Sequence, residues 1–335
     1  MKWHAVLGII LSLGFGLFIL SQVDLHRLGS ALHSAQYSYL LLATLAQVCT
    51  HIARVWRWKY LIAPVKRVSP MSLLSATAIG FMANMVLPAH AGEVVRAYVL
   101  GRKEQVSTIA GLATIVVERL ADMVCFVLML LLVAVSPNLP VMDHGWASGL
   151  RVGGIITASL GIGLIGGLWL LQAKTARVLR LLEYGMRPLP HAWRERALAA
   201  LASFATGLHA LRNWRHLLAV LGLSIGLWSL IAYSNLLVFR AFGLSLPLTA
   251  AYFILIVQVL GAVVPSAPGF IGTFHAAVVA GLSIFQISHE LAFSMAIMMH
   301  AAFFFPFIAI GMIFLWRESL SWRDLSAVKA PLQTH

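Results

Sequence analysis

Asn84-Met85-Val86-Leu87-Pro88-Ala89-His90-Ala91-Gly92-Glu93 and Gly261-Ala262-Val263-Val264-Pro265-Ser266-Ala267-Pro268-Gly269-Phe270 share one pattern. A small or polar residue is followed four positions on by Pro, and four positions later by Gly. Each stretch ends one apolar run and begins another. Pro lacks a backbone donor and stops a helix, and Gly allows close approach of another backbone. Both stretches therefore read as breaks between paired helices. The chain around them is one that water cannot solvate: of 335 residues, 60% are hydrophobic and 10% charged, with a mean hydropathy of +0.89. Soluble domains average about 45–50% apolar and about 25% charged residues. That gap excludes a soluble enzyme, a disordered chain and a secreted disulfide scaffold. Cys49 and Cys125 lie within apolar runs and read as small hydrophobes.

A spanning helix needs about 20 mostly apolar residues. Six stretches qualify as full spans: Ala5–Val23, Tyr37–Ala53, Ser107–Val135, Val152–Leu171, Leu217–Phe239 and Leu291–Trp316. The first is read as retained, because no small-x-small cleavage site follows Gln22. Ala241–His289 has no Asp, Glu, Lys or Arg and is long enough for two embedded pieces broken near Pro265–Gly269.

Lys and Arg number 24 against 11 Asp and Glu, a net charge of +13. In a polytopic chain such an excess marks cytoplasmic loops facing anionic lipid headgroups, and no nucleic-acid partner is expected. The basic stretches are Arg54, Arg57, Lys59, Lys66 and Arg67 (with Trp56 and Trp58 as interface anchors), Arg96–Lys103, Lys174–Arg215, and a tail with Arg317, Arg323 and Lys329. Ser136–Leu150, Gly243–Pro247 and Gln286–Glu290 have no Lys or Arg. Both termini are then expected in the cytoplasm. Met71–Leu87 has basic stretches on both sides, so it is expected to dip in, break at Pro88 and return through Ala91–Leu100 as a re-entrant hairpin.

The fold expected is an all-α polytopic membrane protein, a single transmembrane domain with six full spans and two re-entrant helical hairpins. These form an inverted repeat of residues 1–150 and 151–335, the arrangement typical of transporters. Within the second half, residues 174–215 read as a cytoplasmic amphipathic segment, with Leu198, Leu201, Ala205, Leu208 and Leu211 on one helical face. A solvated linker is the alternative.

Glu118, Arg119 and Asp122 lie well inside an apolar run. Each charge at a helix centre costs about 2.5–3.5 kcal/mol on the insertion scale, so all three must face protein or water. Glu118 and Asp122 share a face and repel. Arg119 is expected to point elsewhere, which leaves Arg96 as the natural partner from another element. Around the first break stand Asn84, His90, Gly92, Glu93 and Arg96; the second offers Ser266 as N-cap, then Pro268, Gly269, Thr273 and His275. Two helix N-termini aimed at one interior would suit an anion such as phosphate. Ordinary capping and packing is the simpler reading of Ser266 and Thr273, and a satisfied core histidine that of His300. No Cys/His metal spacing, nucleotide loop or nucleophile elbow occurs, so no cofactor, metal or catalytic residue is expected.

Three motifs together resemble the lysylphosphatidylglycerol synthase transmembrane-region (flippase-like) family over nearly the whole chain. They are Asn84-x-x-Leu87-Pro88-x-x-x-Gly92-Glu93-x-x-Arg96, Val117-Glu118-Arg119-x-x-Asp122 and Pro265-x-x-Pro268-Gly269-x-x-Gly272-Thr273. His90, at a common Arg, and His275, near a common acidic position, depart from the family pattern. The resemblance implies a lipid translocase of the bacterial inner membrane. The soluble aminoacyltransferase domain of some members is not expected, nor is enzymatic activity. The expected substrate-binding set is Asn84, Pro88, His90, Gly92, Glu93, Arg96, Glu118, Arg119, Asp122, Pro265, Ser266, Pro268, Gly269, Gly272 and Thr273. The cargo would be an amphipathic, anionic or zwitterionic lipid, and a homo-oligomer is compatible. The rival readings are a non-transporting accessory protein of a lipid, hopanoid or glycan biosynthetic complex, and a membrane lipid transferase.

Overall fold

The computed structural model describes residues 25–87, 91–137, 144–173, 191–208, 213–264 and 268–320. The expected first span Ala5–Val23, the break residues Pro88, His90, Pro265 and Ser266, and residues 174–190 and 209–212 lie outside them. Eleven α-helices are described: α1 (Leu25–Ser34), α2 (Tyr37–Ile62), α3 (Pro70–Val86), α4 (Gly92–Glu104), α5 (Thr108–Ala134), α6 (His144–Ala173), α7 (His191–Gly207), α8 (Trp214–Ala241), α9 (Leu248–Val263), α10 (Thr273–Ser283) and α11 (His289–Arg317). No strand occurs among the described residues.

Local chemistry sets the helix starts. Ser69 accepts from the Ser72 N–H ahead of Pro70 in the first turn, and Asn213 accepts from the N–H groups of Arg215 and His216. Ser107 and Ser288 cap α5 and α11 in the same way. These oxygens satisfy donors that a helix leaves free at its first turn.

α2 corrects the expected boundary. It does not stop at Ala53 but continues to Ile62, because no breaker intervenes before Pro64. The stretch expected to be a cytoplasmic basic belt is therefore largely helical, with Arg54, Arg57 and Trp58 buried. Trp58 is thus no interface anchor, whereas Trp56 stays 44% exposed. Arg96, expected at the start of a basic loop, is likewise buried on α4. The second return helix begins at Thr273, later than a Ser266 cap would set it. A 3-10 turn at Pro268–Phe270 intervenes, and Gly269 and Gly272 both have positive φ.

Two apolar cores organise the bundle. One gathers α3 and α4 with Val55, Trp58 and Leu61 of α2, Ala113–Leu120 of α5, Val220 of α8 and Phe314 of α11. The other gathers α9 and α10 with Leu40 and Ala43 of α2, Phe126–Val133 of α5, Ala232–Ala241 of α8 and Ala292–Met299 of α11. Four of the long helices, α2, α5, α8 and α11, serve both cores with opposite ends, and each hairpin of short helices fills one. The packing partners also match between halves: α2 lies on α8, α3 on α11 as α9 on α5, and α4 on α5 as α10 on α11.

Each short pair is an antiparallel hairpin held by glycine. A Cβ at Gly80 would meet Arg96 Cβ at 2.6 Å and the Gly92 carbonyl oxygen at 2.9 Å. In the second hairpin, a Cβ at Gly261 would meet Ala277 Cβ at 2.6 Å. Ala205 and Leu208 of the predicted amphipathic stripe are buried, and Gly207 lies against Ala113 of α5. By length and apolarity, Gly145–Leu168, Trp214–Ala241 and His289–Arg317 could cross a membrane.

Candidate functional site

Arg57, Arg96, Glu118, Arg119 and Asp122, with Glu93 at the edge, form an ion network among α2, α4 and α5, with α8 completing it. Glu118 Oε1 accepts from three guanidiniums: Arg57 Nη2 at 2.7 Å, Arg96 Nη1 at 2.9 Å and Arg119 Nη2 at 2.8 Å. Asp122 Oδ1 accepts from Arg57 Nη1 at 2.5 Å and from the Trp228 indole N–H at 3.0 Å. Arg57 Nη1 also donates to Ser224 Oγ at 2.9 Å.

Arg96 is the partner expected for Glu118. Arg57 is not in the expected set, yet it alone reaches both carboxylates from another helix. Arg119 corrects a further expectation, since it does not point away from the pair. It contacts Glu118 and also places Nη1 3.3 Å from Asp122 Oδ2 and 3.8 Å from Glu93 Oε1. Its long side chain lets the guanidinium reach where the Cβ direction does not lead.

Aromatic residues fix the arginines. Arg96 lies 3.9 Å over the Trp58 ring, and the Trp58 N–H donates to Thr114 Oγ1 at 2.9 Å. Cation–π contact and a fixed fork geometry suit arginine where lysine would not. Three guanidiniums (Arg57, Arg96, Arg119) meet three carboxylates (Glu93, Glu118, Asp122), so the network is neutral.

Exposure divides it. The side chains of Arg57, Glu118 and Arg96 are 0–1% exposed, whereas Arg119 is 37% and Glu93 25% exposed. The Arg57–Glu118–Arg96 part is sealed, and the Arg119–Glu93 edge is partly exposed. Glu118 Oε2 is buried with no hydrogen-bond partner, as are Arg96 Nε and Nη2.

Asn84 and Gly92 have a different task. Asn84 Oδ1 accepts from the Gly92 N–H at 2.8 Å, closing the first hairpin at its tip. The second break forms a separate cluster. Gly269 O lies 2.8 Å from His300 Nε2, Thr273 Oγ1 donates to Phe270 O, and the Gly272 N–H donates to His275 Nδ1. Pro268 belongs to the same turn. No hydrogen bond or ion pair joins this turn to the ion network among the described residues. Pro88, His90, Pro265 and Ser266 lie outside the described residues.

The missed residues left one signal in the sequence. Gln47, His51, Arg54 and Trp58 continue a four-three helical spacing beyond Ala53, with no breaker before Pro64. Ser224 and Trp228 of α8 left none.

The family described as lysylphosphatidylglycerol synthase TM region matches residues 5–311. Comparison with curated proteins finds no match.

Proposed function

The chain belongs to the lysylphosphatidylglycerol synthase TM-region family, and from that premise we propose that it is a lipid translocase of the bacterial inner membrane. It would move an amphipathic, anionic or zwitterionic lipid between leaflets without a catalytic step. The two hairpins would enter the bilayer from opposite faces, with both termini cytoplasmic. Support comes from the two cores, each built on one hairpin at one end of the same four long helices.

The observation that carries the reading is a buried, balanced ion network with one accessible edge. A structural clamp alone would have no need to leave Arg119 and Glu93 partly open. Charged groups at membrane depth mark cargo paths by default. A headgroup phosphate could displace the loose Arg119–Glu93 pair, bond to Arg119, and be held while the acyl chains remain in lipid.

Reconstitution in liposomes with headgroup-labelled phospholipid and a leaflet-selective quencher tests this. Wild type should exchange lipid faster than empty vesicles, and Glu93→Gln, at the loose 3.8 Å edge of the network, should alter the exchange rate while melting close to wild type. Equal rates for wild type and empty vesicles would refute the translocase and favour an accessory protein, in which the network only holds helices together.

A further inference from the structure

Two histidines bracket the turn of the second break through opposite chemistry. His300 Nε2 lies 2.8 Å from the Gly269 carbonyl oxygen, and a carbonyl only accepts, so Nε2 carries the hydrogen of that bond. His275 Nδ1 instead accepts the Gly272 N–H at 3.4 Å, as the third residue of a capping box does at the start of a helix. This is the longer of the two bonds, and it needs an unprotonated Nδ1. The two buried rings stand 4.9 Å apart between centres. Between their anchor points Phe270 holds φ at +60°, a conformation that a bulky residue keeps only where its surroundings impose it.

The turn packs on α3, so it is where the second break meets the first hairpin, and a Cβ at Gly269 would meet Phe304 Cε2 at 2.7 Å. α9 and α11 pack on α10. α3, α9 and α10 hold no Asp, Glu, Lys or Arg. Tyr252 of α9 is turned toward α8, where its hydroxyl donates to Ser229. On α11, His289 and Glu290 stand at the helix start, with Glu290 ten residues before His300, roughly 15 Å along the axis, and Arg317 stands at the far end. His300 is therefore the titratable group that faces His275. The closed turn offers an imidazolium no carboxylate.

We propose that His275 is a proton-binding site whose occupation opens the second break. A proton from water that enters the turn bonds to Nδ1 and converts it from acceptor to donor, so the Gly272 N–H faces another N–H and the capping bond is lost. The closed turn excludes that proton, whereas the opened and hydrated turn presents an ordinary imidazole that titrates at about 6.5. Acid therefore shifts the population toward the open form. His300 does not carry the response, because its Nε2 donates to Gly269 whether the ring is neutral or charged. Like charges on rings this close repel, so the pair takes one proton. An effect of that proton on lipid movement rests on the translocase reading; the response of the turn does not.

Amide hydrogen exchange of the full chain in detergent tests it, read at the Gly272 amide and corrected for the intrinsic pH dependence of exchange. From about pH 7.5 to about pH 5.5 its protection should fall about tenfold, the factor by which one proton with a pKa of about 6.5 favours a form that alone can bind it. The Gly92 amide, whose acceptor Asn84 does not titrate, should keep its protection. His275→Gln supplies an acceptor that takes no proton and should hold the Gly272 amide equally protected at both pH values. His300→Gln can still donate to Gly269 and should retain the fall. Equal protection of Gly272 in wild type at both pH values would overturn the site, and this comparison needs no variant to fold. So would a matching fall at Gly92, which marks general loosening in acid, or a fall that survives in His275→Gln. Leaflet exchange without the pH response would sink the proton site and leave the translocase, and the converse result would do the opposite.

Discussion

Arg57 Nη2 lies 2.7 Å from Glu118 Oε1, with neither side chain exposed, and so ties α2 to α5 across 61 residues of sequence. Its other terminal nitrogen reaches Asp122 and Ser224. Arg57→Met would leave two carboxylates buried with one fewer cation. Removing one partner of a buried pair costs about 3–5 kcal/mol. Arg57→Lys should recover little, because a single ammonium cannot span both carboxylates. Chemical unfolding in detergent checks both variants, and a wild-type midpoint for Arg57→Met would contradict the expectation.

At the first hairpin, Gly80→Ala should displace Arg96 from Glu118, since the new Cβ falls 2.6 Å from Arg96 Cβ. Overpacking of this kind costs about 1–3 kcal/mol. Gly166→Ala is the control. Beyond its own stretch of helix, nothing lies within 4 Å of where an alanine Cβ would stand, and it should be neutral or gain about 0.5–1 kcal/mol. The melting temperature should fall for Gly80→Ala and hold or rise for Gly166→Ala.

Asn84→Ala should leave the Gly92 N–H without its acceptor and cost about 1 kcal/mol, as loss of a helix cap does. Asn84→Asp keeps an acceptor and should retain more of the stability. Hydrogen exchange at the Gly92 amide reads the bond directly and should rise only in the alanine variant.

Glu318 predicts an acid limb to stability. Burial pushes its carboxyl up, but hydrogen bonds from Lys103 and Ser75 and the charges of Lys103 and Arg317 outweigh burial and hold it below the ordinary value. A carboxyl lowered on folding contributes fully above its unfolded value, near 4.5, and loses that contribution as pH falls through the folded value. Wild type should therefore melt progressively lower as the medium is acidified below about pH 4.5, and Glu318→Gln should flatten that limb. Parallel pH profiles for the two proteins would exclude the contribution.

Both breaks were legible because Pro and Gly act locally, and Glu118, Arg119 and Asp122 were legible because charge inside an apolar run is costly wherever the chain folds. Arg57 was not. Charges at the end of an apolar run read equally as an interfacial belt, and only the continuation of α2 to Ile62 favours the interior. Its pairing with α5, and the closure of the network by Ser224 and Trp228 of α8, are long-range events that no local spacing encodes. Arg119 misled for a different reason: wheel geometry follows Cβ directions, whereas a guanidinium on a long stem can fold back along its own helix.

The sharing of α2, α5, α8 and α11 between both cores means that neither half of the chain owns a hydrophobic interior. A fragment ending near residue 150 would leave one end of α2 and α5 without its cover. Fragments cut between α5 and α8 should aggregate when produced singly and regain solubility in detergent only when co-expressed, like two hands that must clasp before either can grip.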